Sequence, residues 1–142
     1  PTGPLDRDAQ KKLSEDFKAL VGGDGFNVIY DPVGGDYAEP ALRAIGWEGR
    51  YLVVGFAASD VIPKVPLNLA LLKGCQIVGV FWGAFTAREP QRNRANLAEL
   101  TKWVLEGKMK PLVSKTYPLA RAADALNDMA ARKVQGKVVL VP

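Results

Sequence analysis

Apolar positions along the chain fall into two alternating periods, one helical and one extended. Leu13, Phe17, Leu20 and Val21 recur at helical spacing in a charged stretch that follows Asp6 and stops at Gly22-Gly23. An N-cap, a single apolar stripe and a glycine stop predict a surface helix. After the turn Asp24-Gly25, the apolar, β-rich run Phe26 to Tyr30 predicts a buried strand, ended by Asp31-Pro32-Val33-Gly34-Gly35. The pattern then repeats, with a short amphipathic helix from Tyr37 to Ile45 closed by Gly46 and a second run, Tyr51 to Phe56, apolar at every position but Gly55. Continuous apolarity predicts a parallel strand covered on both faces. A connection containing Pro63 and Pro66 leads to a short helix from Asn68 to Lys73, capped by Gly74, and to a third buried strand from Cys75 to Trp82.

Beyond Gly83 the spacing predicts a long helix from Glu89 to Glu106, with Leu97, Leu100 and Val104 on one face and Gly107 at its end. A partly polar strand from Leu112 to Tyr117 follows. A helix then carries Leu119, Ala122, Ala123, Leu126 and Met129 on one face, and Lys137 to Val141 form a last strand. Strands separated by helices imply βαβ units with right-handed crossovers, so the expected class is α/β with a parallel sheet.

Composition narrows the chemistry. The chain has 142 residues, 48% hydrophobic and 24% charged, enough for one core. Its formal charge is +4, but the charges alternate in sign and form no basic run, so a solvated surface is expected and not a nucleic-acid site. Apolar stretches are interrupted well before the roughly 18 residues that a membrane span requires. Pro1 to Gln10 lack the apolar segment of a signal peptide, and a cytoplasmic location is expected. With no histidine and the single cysteine Cys75, the chain cannot assemble a zinc site from N and S ligands, nor a Ser-His-Asp triad. Cys75 is expected to be a packed thiol.

In an open parallel sheet, ligands sit beyond the carboxyl ends of the strands, where loops and helix N-termini present free N–H groups. Three such ends occur here: Asp31-Pro32-Val33-Gly34-Gly35, Gly55-Phe56-Ala57 and Phe81-Trp82-Gly83. Any one of these glycines alone would be a turn former; three ends on one side of a sheet point to a site. Tyr30, Asp31 and Tyr117 are conceivable proton donors, although Asp31 before Pro32 is better read as a turn former.

These segments resemble the C-terminal stretch of zinc-independent medium-chain reductases, the quinone oxidoreductase family. The resemblance rests on Asp31 to Gly35, Gly49 to Phe56, Leu69 to Lys73 and Val78 to Gly83. It also rests on a tail running from Tyr117-Pro118-Leu119 through Arg132-Lys133 to Gly136–Leu140. It implies the second half of a nicotinamide-binding Rossmann sheet within a partial cofactor domain, residues 1–110. A tail, residues 111–142, would pack on a catalytic domain. Val54, Gly55, Phe56, Val80 and Phe81 would lie along the nicotinamide and its ribose, Val33 and Gly34 on the adenosine side, and Gly136 and Lys137 would return close to the cofactor. Lys137 reads equally well as a surface charge.

The implied activity is hydride transfer from a nicotinamide, NADPH (NADP) ahead of NADH (NAD), to a quinone or another conjugated carbonyl. No residue of this chain need act as acid or base. The family's glycine-rich fingerprint and GroES-like catalytic domain have no counterpart here, so the chain is expected to be a fragment, inactive alone. A non-catalytic dimerisation or scaffold module is the alternative from a different class; an enoyl reductase fragment acting on thioesters is a third reading. The resemblance further implies a homodimer through the edge of the strand Cys75 to Trp82.

Overall fold

The computed structural model describes residues 4–58 and 61–142. It is an α/β chain in which every strand pairing is parallel, as its sequence pattern predicts. By contacts it divides into two compact units, the first ending at Ala87 and the second running from Arg88 to Pro142.

The first unit begins with α1 (Arg7–Leu20), whose N-terminus is capped by Asp6: the side chain accepts the Ala9 N–H. Leu13 and Phe17 turn partly inward and Leu20 is exposed. Strand β1 (Phe26–Asp31) leads through a single 3₁₀ turn (Gly35–Tyr37) into α2 (Ala38–Arg43), and then β2 (Ile45–Val53), α3 (Asn68–Lys73), β3 (Gln76–Gly79) and α4 (Trp82–Arg88) follow. The sheet order is β1-β2-β3, which makes β2 the centre and leaves β1 and β3 as edges. Ala38, Leu42, Ile45, Tyr51 and Leu69 form the core, α2 and α3 packing on β2, with Ile29, Val53 and Cys75 closing its border.

Ile45 belongs to β2 and not to the preceding helix. The Phe26 N–H donates to the Ala44 carbonyl at 3.0 Å, and Phe26 pairs with Ile45, so the chain is already in register when the helix ends. The two-residue step from Phe26 to Val28 on β1 is then matched by the five-residue step from Ile45 to Arg50 on β2, and the surplus makes a bulge. Gly25 and Gly46 cross in contact inside this bulge, where a Cβ on Gly25 would stand 2.6 Å from the Gly46 nitrogen. Glu48, at φ 56, takes the left-handed turn without being glycine. Phe56 lies beyond β2, and Trp82 opens α4 instead of closing β3.

Strand β3 departs from the expectation of burial, since every residue of it is exposed. Its apolar side chains pair with β2 through the backbone but meet no covering layer within the first unit. The same holds for Phe81, at 80% exposure.

The second unit contains α5 (Pro90–Leu105), β4 (Val113–Pro118), a 3₁₀ turn (Leu119–Arg121), α6 (Ala122–Ala130) and β5 (Lys137–Val141). Strands β4 and β5 pair in parallel, and α6 buries Ala125. Tyr117 is buried on β4 and its hydroxyl donates to Asp128 of α6, which also takes the Lys115 ammonium at 2.7 Å. Lys115 lies 4.6 Å from the centre of the Tyr117 ring. Hydrogen bonds from Lys115 and then Tyr117 hold the Asp128 carboxyl below its ordinary range, and the bond to Asp128 raises the Lys115 ammonium. Leu97, Leu100 and Val104 do lie on α5, but none is buried.

Gly25→Ala combines a left-handed φ of 84° with a backbone clash and is expected to cost at least about 2 kcal/mol. Glu48→Gly relieves the strain at its own φ and is expected to leave stability unchanged or raise it by up to about 1 kcal/mol. Urea denaturation of the two variants beside the parent checks both signs.

Candidate functional site

The carboxyl ends of β1, β2 and β3 form one continuous rim, and hydrogen bonds between neighbouring loops hold it together. Val54 and Gly55 N–H donate to the Asp31 carbonyl at 2.9 and 3.2 Å. Ala57 N–H reaches the Pro32 carbonyl at 3.2 Å and Ala58 N–H the Val33 carbonyl at 2.9 Å. On the other side, Val80 N–H donates to the Val53 carbonyl at 2.8 Å. Val33, Gly34, Val54, Gly55, Phe56, Val80 and Phe81, named from the sequence, are thereby brought onto one rim. Gly34 is buried, Val54, Gly55 and Val80 are half-buried, and Val33, Phe56 and Phe81 are exposed.

Side-chain chemistry fixes the first loop. Asp31 Oδ1 accepts from the N–H groups of both Val33 and Gly34 at 2.8 Å, and Oδ2 accepts the Tyr51 hydroxyl. Asp31 is thus a turn former, as its place before Pro32 suggests. Gly34 sits at φ 63, ψ −142, a region open to glycine alone. Its missing Cβ would stand 2.8 Å from Phe56 Cδ1 and 3.3 Å from the Gly55 carbonyl. A Cβ on Gly55 would meet the Pro32 carbonyl at 3.2 Å. The two glycines therefore serve close approach of the loops to each other, a role that turn propensity alone does not reveal.

At seven positions the rim differs from the expectation of free N–H donors. Those of Val33, Gly34, Val54, Gly55, Ala57, Ala58 and Val80 all donate inside the fold. An anion-binding nest needs unsatisfied donors, so these seven positions suit a ligand that brings its own N–H and O–H donors and a flat apolar face. Tyr51 was legible as an apolar strand residue but not as a partner of Asp31, because that contact needs the β1–β2 register. An apolar groove of about 490 Å³ also runs along β1, lined by Phe17, Phe26, Val28, Tyr30, Val33 and Tyr37.

Gly136 and Lys137 lie in the second unit at the start of β5. Gly136, at φ 70, has the Leu112 carbonyl within the space a Cβ would need, and the Lys137 N–H donates to that carbonyl at 2.8 Å. Both positions thus have a role in the β4–β5 pairing, and the Lys137 side chain is exposed.

Comparison with known proteins decides the family: residues 6–140 match the model of the zinc-binding dehydrogenases. The chain belongs to that family. It is a C-terminal segment within the medium-chain dehydrogenase/reductase superfamily. It is 36% identical over 132 residues to the quinone oxidoreductase-like protein 2 homolog of Nematostella vectensis, covering 92% of this chain and 36% of the relative. It is 38% identical over 128 residues to quinone oxidoreductase-like protein 2 of Bos taurus, covering 90% of this chain and 36% of the relative. The chain thus spans about a third of the length of these relatives.

Among solved structures, a mycobacterial protein in complex with NADPH superposes with a TM-score of 0.79 at 27% identity, over 98% of this chain and 42% of its own. A probable oxidoreductase from Mycobacterium abscessus gives 0.70 at 34% identity, over 98% and 38%. The family's description names zinc, but this segment does not fit the metal. It has no histidine and one cysteine, and among the described residues no three potential ligands cluster. Nor is any helix among them long and apolar enough to cross a membrane.

Burial, and then the hydrogen bond to the charged Asp31, push the Tyr51 phenol far above its ordinary range. A raised pKa stabilises the fold fully below the unfolded value of about 10, and that contribution is lost as pH climbs above it. At about pH 11 the folded chain is therefore expected to show the same phenolate absorbance with or without Tyr51→Phe, whereas in guanidinium the parent exceeds the variant by one phenolate.

Proposed function

We propose that this chain is the nicotinamide-facing part of a zinc-independent, NADPH-dependent reductase. The whole protein would transfer hydride to a quinone or another conjugated carbonyl. The observation that carries the reading is the rim, where three glycine-bearing strand ends lie side by side and the N–H groups of Val33, Gly34, Val54, Gly55 and Val80 turn inward. The carbonyls that remain, with the side chains of Val33, Phe56 and Phe81, suit the carboxamide, the ribose hydroxyls and the flat ring of a nicotinamide nucleotide. When bound, the cofactor supplies the hydride; the protein's part is to orient the ring and exclude water from it. The pyrophosphate needs free donors, which those seven rim positions do not offer.

The NADPH complex of a relative supports a nicotinamide nucleotide as the cofactor, with NADPH put ahead of NADH in this reading. In this reading, Gly136 and Lys137 approach the cofactor in the assembled enzyme, residues 111–142 pack on its catalytic domain, and the enzyme is cytoplasmic. The groove along β1, apolar and bordered by an unpaired strand edge, suits a further strand of the parent sheet better than a dinucleotide. The exposed, apolar edge of β3 would pair with a second copy.

Titrating the chain with NADPH and NADH, followed through quenching of Trp47, Trp82 and Trp103, is expected to give saturable binding with NADPH the tighter. No quenching up to millimolar cofactor would overturn the reading for the isolated chain. Light scattering is expected to give twice the 15.3 kDa chain mass, and a monodisperse monomer would count against the β3 pairing.

A further inference from the structure

We infer that Tyr51 is a positioning residue for the cofactor rim, acting through the carboxylate of Asp31 on the loop that carries Val33 and Gly34. The inference rests on the cofactor reading above but concerns a residue outside the rim. Tyr51 stands on the central strand opposite Ile29 of β1 and Ile77 of β3, with 5% of its surface exposed. Its neighbours in the core, Leu42, Ile45 and Leu69, are aliphatic. A phenylalanine would fill that space equally well, so packing alone gives no reason for the hydroxyl.

The hydroxyl reaches Asp31, at the last position of β1. With one carboxylate oxygen held there, the other is aimed at the N–H groups of Val33 and Gly34. A carboxylate without the first bond can rotate about its Cβ–Cγ bond and turn its oxygens outward to water. With the bond in place, the loop is held where Gly34 touches Phe56 and where Asp31 and Pro32 meet the β2 loop. The gap between Val33 and Phe56, both exposed on the rim, is therefore set from the core by one phenolic hydroxyl.

The test uses the 142-residue chain in four forms: parent, Tyr51→Phe, Asp31→Ala and the double variant. NADPH dissociation constants are measured by tryptophan quenching and amide exchange by NMR. Tyr51→Phe is expected to weaken NADPH binding about 10-fold, the size of a lost hydrogen bond to a charged group. Asp31→Ala is expected to weaken it at least as much, and the double variant no further than Asp31→Ala, because Tyr51 acts through Asp31. In Tyr51→Phe the Val33 and Gly34 amides are expected to exchange faster while those of β2 keep their protection, a pattern that general destabilisation would not give.

Unchanged affinity in Tyr51→Phe, or an additive loss in the double variant, overturns the inference. Unaltered exchange at Val33 and Gly34 overturns it as well, and this readout needs neither cofactor nor a folded Asp31→Ala. Failure of the parent to bind NADPH would instead sink the cofactor reading, and exchange would then decide alone whether Tyr51 holds the loop.

Discussion

A single carboxylate at the end of an edge strand joins the elements on which the rest of the rim depends. Asp31 receives the hydroxyl of the central strand on one oxygen and two backbone N–H groups of its own loop on the other. Its main-chain carbonyl meanwhile takes the N–H groups of Val54 and Gly55. Charge-assisted bonds of this kind, close to a buried tyrosine, are stronger than their equivalents in water. They also remove the freedom that a Pro-Val-Gly-Gly loop would otherwise have. The parallel register of β1 and β2 brings the partners together, and the bulge from Gly46 to Gly49 lets that register begin directly after α2.

Satisfying those donors internally divides the labour of binding. Loop positions whose N–H groups are occupied in this way offer carbonyls and apolar surface in place of donors. The segment spans 36% of the length of the relatives it matches. The core gathers under α2 and α3, while Phe81, Trp82, Leu71 and Leu72 are exposed.

The order of helices and strands, the parallel class and the glycine-bearing strand ends were legible from periodicity and from Gly and Pro, because each depends on residues near in sequence. Asp6 as N-cap, Gly74 as helix stop and Asp31 as turn former belong to this local class. The family resemblance was carried by the order and spacing of the same segments. Burial was not legible in this way: Cys75 to Trp82 has the apolarity of a covered strand, yet β3 is exposed, since cover depends on what packs against it. Strand limits near Ile45 and Trp82 also shifted, because pairing and not composition sets where a strand begins and ends. Tertiary structure alone decided that the N–H groups of Val54, Gly55, Ala57, Ala58 and Val80 are occupied, that Gly34 and Gly55 are small for the sake of each other's loops, and that the Tyr51 hydroxyl reaches Asp31. The contacts of Tyr51 with Asp31, of Gly34 with Phe56 and of Val54 and Gly55 with Asp31 join segments about twenty residues apart, fixed by register and by a few ångströms of approach, and no local pattern encodes such a distance.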